Sequence, residues 1–188
     1  LDWRRAVLFS HAAGPGYLLS SYLSPVSDTR TAGFGVKREN RMRLLLEVLA
    51  GVRSAVGSGF PVWVKLDSRQ VGKVGGITIE DAKVAAKMVE AAGADAITVT
   101  AYHDNGEGKL HSESHTPHID GFNLPFAAQI RKGLSIPVIA SGRVEPELGD
   151  KVIGQGGGEF SDMGRKLRAA PPLPRTLVAG ERGQVDPR

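Results

Sequence analysis

Apolar residues recur along this chain in two alternating rhythms. Met42, Leu45, Leu46, Leu49, Val52 and Val56 fall at helical spacing and predict a helix over Arg38–Val56, stopped by Gly57-Ser58-Gly59. A second, Ala-rich helix is predicted over Ile79–Ala92, opened by a Thr78/Asp81 capping pattern and stopped by Gly93. Further helices are expected over Asn123–Gly133, with Phe126, Ala127 and Ile130 inward, over Pro146–Ile153, and briefly near Lys166. Between them run short, continuous apolar stretches. These predict strands at Ala6–Phe9, Phe60–Leu66, Ala94–Thr100, Ile136–Ala140 and Glu159–Met163. Ser24–Val36 and His103–Gly121 read as long loops, and the Pro-rich stretch 171–188 reads as irregular.

Strand and helix alternate about five times, which is the pattern of an α/β protein with a parallel sheet. A doubly wound sheet and a barrel both fit that alternation. The ends of the last two strands favour the barrel. The run Ile136–Ala140 stops at Ser141-Gly142-Arg143, and the next strand stops at Met163-Gly164-Arg165. Glycine lets a backbone approach a ligand closely, and arginine offers a fork for a phosphate. In a (β/α)8 barrel both ends face one mouth, where the loops after strands 7 and 8 commonly hold phosphate. A complete barrel needs eight such units and typically about 250 residues. The 188 residues are therefore expected to form a single incomplete TIM-barrel domain, a partial (β/α)8 barrel.

Composition narrows the function. Hydrophobic content of 41% and charged content of 23% are those of an ordinary globular chain. There is no cysteine, which excludes disulfides and thiolate metal sites within these residues. No apolar run is long enough for a membrane span, and no signal-peptide layout opens the chain, so a cytoplasmic setting is expected. The net charge of +4 comes from interspersed acids and bases without a basic stripe, which argues against nucleic acid as a partner. His103, His111, His115 and His118 share one loop but lack a defined ligand spacing, so no metal site is expected. That loop follows a strand end and is expected to lie over the mouth.

The segments Gly16–Pro25 (G-Y-L-L-S-S-Y-L-S-P), Glu39–Val48 (E-N-R-M-R-L-L-L-E-V), Gly75–Asp81, Ala92–Val99, I-P-V-I-A-S-G-R-V and M-G-R-K-L resemble the Old Yellow Enzyme family. The nearest likeness is to its NADH:flavin oxidoreductase / 2,4-dienoyl-CoA reductase branch, and it runs over nearly the whole chain. The resemblance implies that the strands are barrel strands 4 to 8 and that the chain is a piece of a longer protein or a truncated product. It implies FMN as cofactor, NADH or NADPH as reductant, and ene-reductase chemistry on a small α,β-unsaturated substrate. The alternative is an inactive fragment that cannot hold FMN without the other barrel strands, with open edges inviting self-association.

The resemblance also assigns roles. Ser141, Gly142, Arg143, Gly164 and Arg165 fall on phosphate-binding positions. Lys65 in V-W-V-K-L stands where the family usually has an arginine near the flavin, and it can supply charge but no bidentate fork. Tyr17 in G-Y-L matches the family's proton donor. The family spacing H-x-x-[N/H]-x-Y would put its other two substrate-binding side chains at Ala12 and Pro15, so His11 is one residue out of register as a candidate catalytic residue. Asp162, in the last strand, would carry a large desolvation cost if buried without a partner.

Overall fold

The structure, a computed structural model, describes residues 9–13, 17–103 and 119–180, with residues 9–13, 102 and 103 described as backbone. Its elements are β1 (Phe9–Ala13), α1 (Leu18–Leu23), α2 (Arg38–Val56), β2 (Val62–Val71), α3 (Ile79–Ala91), β3 (Ala96–His103), α4 (Leu124–Arg131), β4 (Val138–Ser141), α5 (Pro146–Gly154), β5 (Phe160–Asp162), α6 (Gly164–Ala169) and α7 (Leu173–Val178). The strands form one five-stranded sheet in the order β1-β2-β3-β4-β5. Each neighbouring pair is parallel. A doubly wound sheet reverses its strand order at a switch point. This sheet runs in plain chain order, so it is an arc of a (β/α)8 barrel.

The pleat of the strands separates two faces. On the outer face, Val62, Val64 and Leu66 of β2, Ile97 and Val99 of β3, and Val138 and Ala140 of β4 are buried. They join one core with Met42, Leu45 and Leu49 of α2, Ala82, Ala86 and Val89 of α3, and Ala127 and Ile130 of α4. On the inner face, the register sets Lys65, Thr98, Ile139 and Phe160 side by side at one level. Thr98 is buried there, whereas Phe160 is 57% exposed.

Helix and strand ends are fixed by carboxylates that accept backbone N–H groups. Thr78 and Asp81 form the reciprocal capping box of α3, and Asp81 also accepts from Arg38 at 2.7 Å. Glu90 accepts from the Ser135 N–H at 2.7 Å and the Ile136 N–H at 3.1 Å. Glu159 accepts from the Val138 N–H at 2.8 Å and pairs with Arg131. The last two bonds place β4, whose far end carries the first Gly-Arg turn.

The expected helix over Arg38–Val56 forms as such. Three expectations need correction. β1 lies at Phe9–Ala13, so Ser10 and His11 are inside the strand rather than at its end; the ladder from Phe9↔Val62 to Ala13↔Leu66 runs straight through them. Of the expected Ala6–Phe9 strand, residues 6–8 lie outside the described residues. β2 continues past Leu66 to Val71, because its polar end stays paired with β3 across an irregularity between Asp67 and Gln70. Residues 173–178 of the Pro-rich stretch form α7, with Pro172 as N-cap and Pro174 in the first turn, where a missing N–H breaks no helical bond. Residues 181–188 lie outside the described residues.

Candidate functional site

A cavity of about 790 Å³ opens at the C-terminal ends of β4 and β5. Lys65, Ser141, Gly142, Arg143, Gly164 and Arg165 all line it. Residues from β2, from the turn after β4 and from the turn after β5 thus meet at one mouth, because parallel strands deliver all their C-terminal ends to the same side.

The first turn is tightly built. Gly142 has φ +104 and Arg143 has φ +51, both left-handed. A Cβ on Gly142 would lie 2.5 Å from Nδ2 of Asn123, the buried N-cap residue of α4, so only glycine fits. The Gly121 N–H donates to the Arg143 carbonyl at 3.1 Å and ties the start of α4 to the same turn. Ser141 is buried and donates its hydroxyl to the Val99 carbonyl at 2.7 Å, so this side chain braces β4 against β3. Arg143 Nε is buried without a hydrogen-bond partner. A buried guanidinium nitrogen without an acceptor fits an anion that would complete it.

The second turn is open. Gly164 and Arg165 are exposed. Nothing lies within 4 Å of where a Cβ on Gly164 would sit, so packing within the chain does not require glycine there. A close-lying ligand would. An orphaned Arg143 Nε on one wall and an unfilled Gly164 on the other fit the phosphate of FMN. Asp162, beside this turn, is exposed rather than buried, which removes the desolvation cost expected for it.

Lys65 is half-buried and reaches the cavity from the inner face of β2. Two residues on, Asp67 is 1% exposed. Ser20 of α1 donates to its Oδ2 at 3.3 Å, and its Oδ1 has no partner. Burial pushes the Asp67 carboxyl up to about 7, opposed by the Ser20 bond and the Lys65 charge. Asp67 is therefore mixed in charge near neutral pH.

The remaining candidates stand apart from this cluster. Tyr17, the N-cap residue of α1, is 58% exposed and is not among the residues lining the cavity. His11 lies in β1 in register with Val64, while Ala12 is in register with Lys65. The side chain of His11 lies outside the described residues, as do His111, His115, His118 and most of the loop expected to lie over the mouth. Asn123, Glu145 and Lys166 line or prop the site without having been picked out from sequence. Asn123, two residues after Gly121 at a helix start, was the one local signal; the other two meet only through the fold.

Residues 10–183 match the NADH:flavin oxidoreductase / NADH oxidase family. The chain belongs to that family. It is 36% identical to the metal reductase of Desulforamulus reducens over 93% of this chain and 26% of that protein. Among solved structures, it superposes on 2-naphthoyl-CoA reductase with a TM-score of 0.79 and 31% identity, covering 89% of this chain and 25% of that one. It shares its fold with the Old Yellow Enzyme homologue of Zymomonas mobilis, with a TM-score of 0.69 over 93% of this chain and 46% of that one. The chain thus spans about a quarter of the length of its metal reductase and 2-naphthoyl-CoA reductase relatives. The sequence-based assignment to the Old Yellow Enzyme family, and to a partial barrel within it, holds.

Proposed function

We propose that this chain supplies the phosphate-holding arc of an FMN- and NAD(P)H-dependent oxidoreductase of the ene-reductase type. The observation that carries the reading is the convergence of six side-chain and turn positions from β2, β4 and β5 on one cavity. When bound, FMN would supply hydride relay from NADH or NADPH to an activated alkene, an enone or an enoyl thioester.

The chain's own residues do the binding and proton work. The backbone N–H groups of the two Gly-Arg turns and the guanidinium groups of Arg143 and Arg165 hold the phosphate dianion. Lys65 supplies positive charge on the inner face, where negative charge would build up on reduction. Tyr17 donates a proton to the substrate α-carbon, a role that family likeness supports and that its place outside the cavity lining leaves to another part of the mouth.

The test is a titration of this chain with FMN and with riboflavin, followed by flavin fluorescence. FMN should bind at least roughly tenfold more tightly, because only FMN carries the phosphate. Equal affinities would remove the phosphate reading. A second reading has its own observation: Phe160, on the inner face, is 57% exposed. On that reading the arc takes up FMN only when the other barrel strands cover this face. FMN uptake seen only after adding a polypeptide of strands 1 to 3 would favour it.

A further inference from the structure

The two Gly-Arg segments belong to separate elements, the turn after β4 and the first turn of α6, and the sheet does not hold them together. Pairing of β4 with β5 stops at Ser141↔Asp162, before either turn begins. Past that point an ion pair spans the gap. Lys166 Nζ lies 2.8 Å from Glu145 Oε2. Lys166 directly follows Gly164-Arg165, and Glu145 closes the turn Gly142-Arg143-Val144. Both residues line the cavity.

We propose that the Lys166–Glu145 pair is a cross-brace that sets the separation of the two turns, and that both are positioning residues for a phosphate ester. The inference rests on the phosphate reading of the cavity and adds to it the device that holds the walls in place. The lysine side chain is 8% exposed and the glutamate side chain 44% exposed. A lysine that buried is stable only while paired, so it holds Glu145, and with it the turn after β4, within reach. Glu145 places a carboxylate on the wall of an anion site. On its own this would repel a phosphate; paired, it is neutralised and becomes a strut. Lys166 spends its charge on Glu145, which leaves Arg143 and Arg165 as the cations that the two turns offer to the phosphate, beside Lys65 on the inner face.

The test uses this chain with Glu145→Gln, Lys166→Met, and the exchange Glu145→Lys with Lys166→Glu. FMN and riboflavin affinities are measured for each, with amide hydrogen exchange of the ligand-free protein. Each single variant should weaken FMN by about tenfold and leave riboflavin within about twofold, since only the phosphate feels the turns. Exchange should quicken at residues 142–145 and 164–167 and stay unchanged in α3. The exchange of charges should restore much of the FMN affinity, and Lys166→Arg should retain it if Lys166→Met fails to fold. Tighter FMN binding by Glu145→Gln would overturn the brace and make Lys166 a direct ligand. Unchanged exchange at both turns would also overturn it. Wild-type protein that binds FMN and riboflavin alike would refute the phosphate reading, and the hydrogen exchange would still decide for or against the brace.

Discussion

The turns Gly142-Arg143 and Gly164-Arg165 are twins in sequence and opposites in structure. The first is wedged against Asn123, takes left-handed backbone at both residues, and buries an arginine nitrogen. The second is exposed and touches nothing where a side chain could grow. One turn is built by the fold, and the other is left open, as the proposed phosphate site requires. A repeated motif can therefore carry one structural and one functional glycine, and only the neighbours of each Cβ position tell them apart.

The sharpest way to break this contrast is to put a methyl group on the first turn. Gly142→Ala forces a left-handed alanine and a 2.5 Å contact with Asn123, and should cost roughly 2–4 kcal/mol in urea unfolding. A loss below about 0.5 kcal/mol would erase the distinction between the turns.

Next in size is the pH dependence of stability, which comes from β2 rather than from either turn. Asp67 has its carboxyl raised from 3.8 to about 7 by burial. Between those values the folded chain holds a proton that the unfolded chain releases, so its stabilising share is present below about pH 4 and is lost as pH rises to about 7. Asp67→Asn should flatten that fall and raise stability at pH 8 by roughly 2 kcal/mol. The same gain in a Gly142→Ala background would show that β2 and the first turn are independent supports.

Glu159 gives a smaller effect, confined to the first turn's strand. Burial opposes its ionisation, but the Val138 N–H and Arg131 outweigh it and hold its pKa below the usual value of 4.5. Its share is therefore present above about pH 4.5 and is lost as pH falls through the lowered folded value. Glu159→Gln should cost about 1 kcal/mol at pH 7 and much less in acid. An equal cost at both ends of that pH range would mean that packing, not charge, matters at this position.

The smallest stability effect falls on the second turn. Gly164→Ala should change unfolding by no more than about 0.5 kcal/mol while weakening FMN by on the order of tenfold. Intact FMN binding would mean that the open space at Gly164 is not a cradle.

What was legible in the sequence follows from how local each signal is. The helix Arg38–Val56 was readable because Met42, Leu45 and Leu49 repeat on one face, and the Thr78/Asp81 cap because both partners lie within one turn. The polar end of β2 was not, since Asp67 and Gln70 accept from Ser20 and Ser24 and Ser68 donates to the Thr100 carbonyl, all remote in sequence. β1 was placed too early because an apolar run outweighed polar Ser10 and His11, whose pairing only the sheet reveals. Six candidate residues line one cavity: the Gly-Arg motif marks the ends of β4 and β5 locally, whereas Lys65 joins them only through the register of the sheet. The Lys166–Glu145 pair was invisible for the opposite reason: nothing in either segment names its partner.

The most direct measurement is a crystal structure of the chain soaked with FMN. The phosphate should lie between the two turns, within hydrogen-bond distance of Arg143 Nε and of the backbone at Gly164-Arg165. A flavin bound with its phosphate pointing to solvent would contradict the assignment of this mouth to a phosphate.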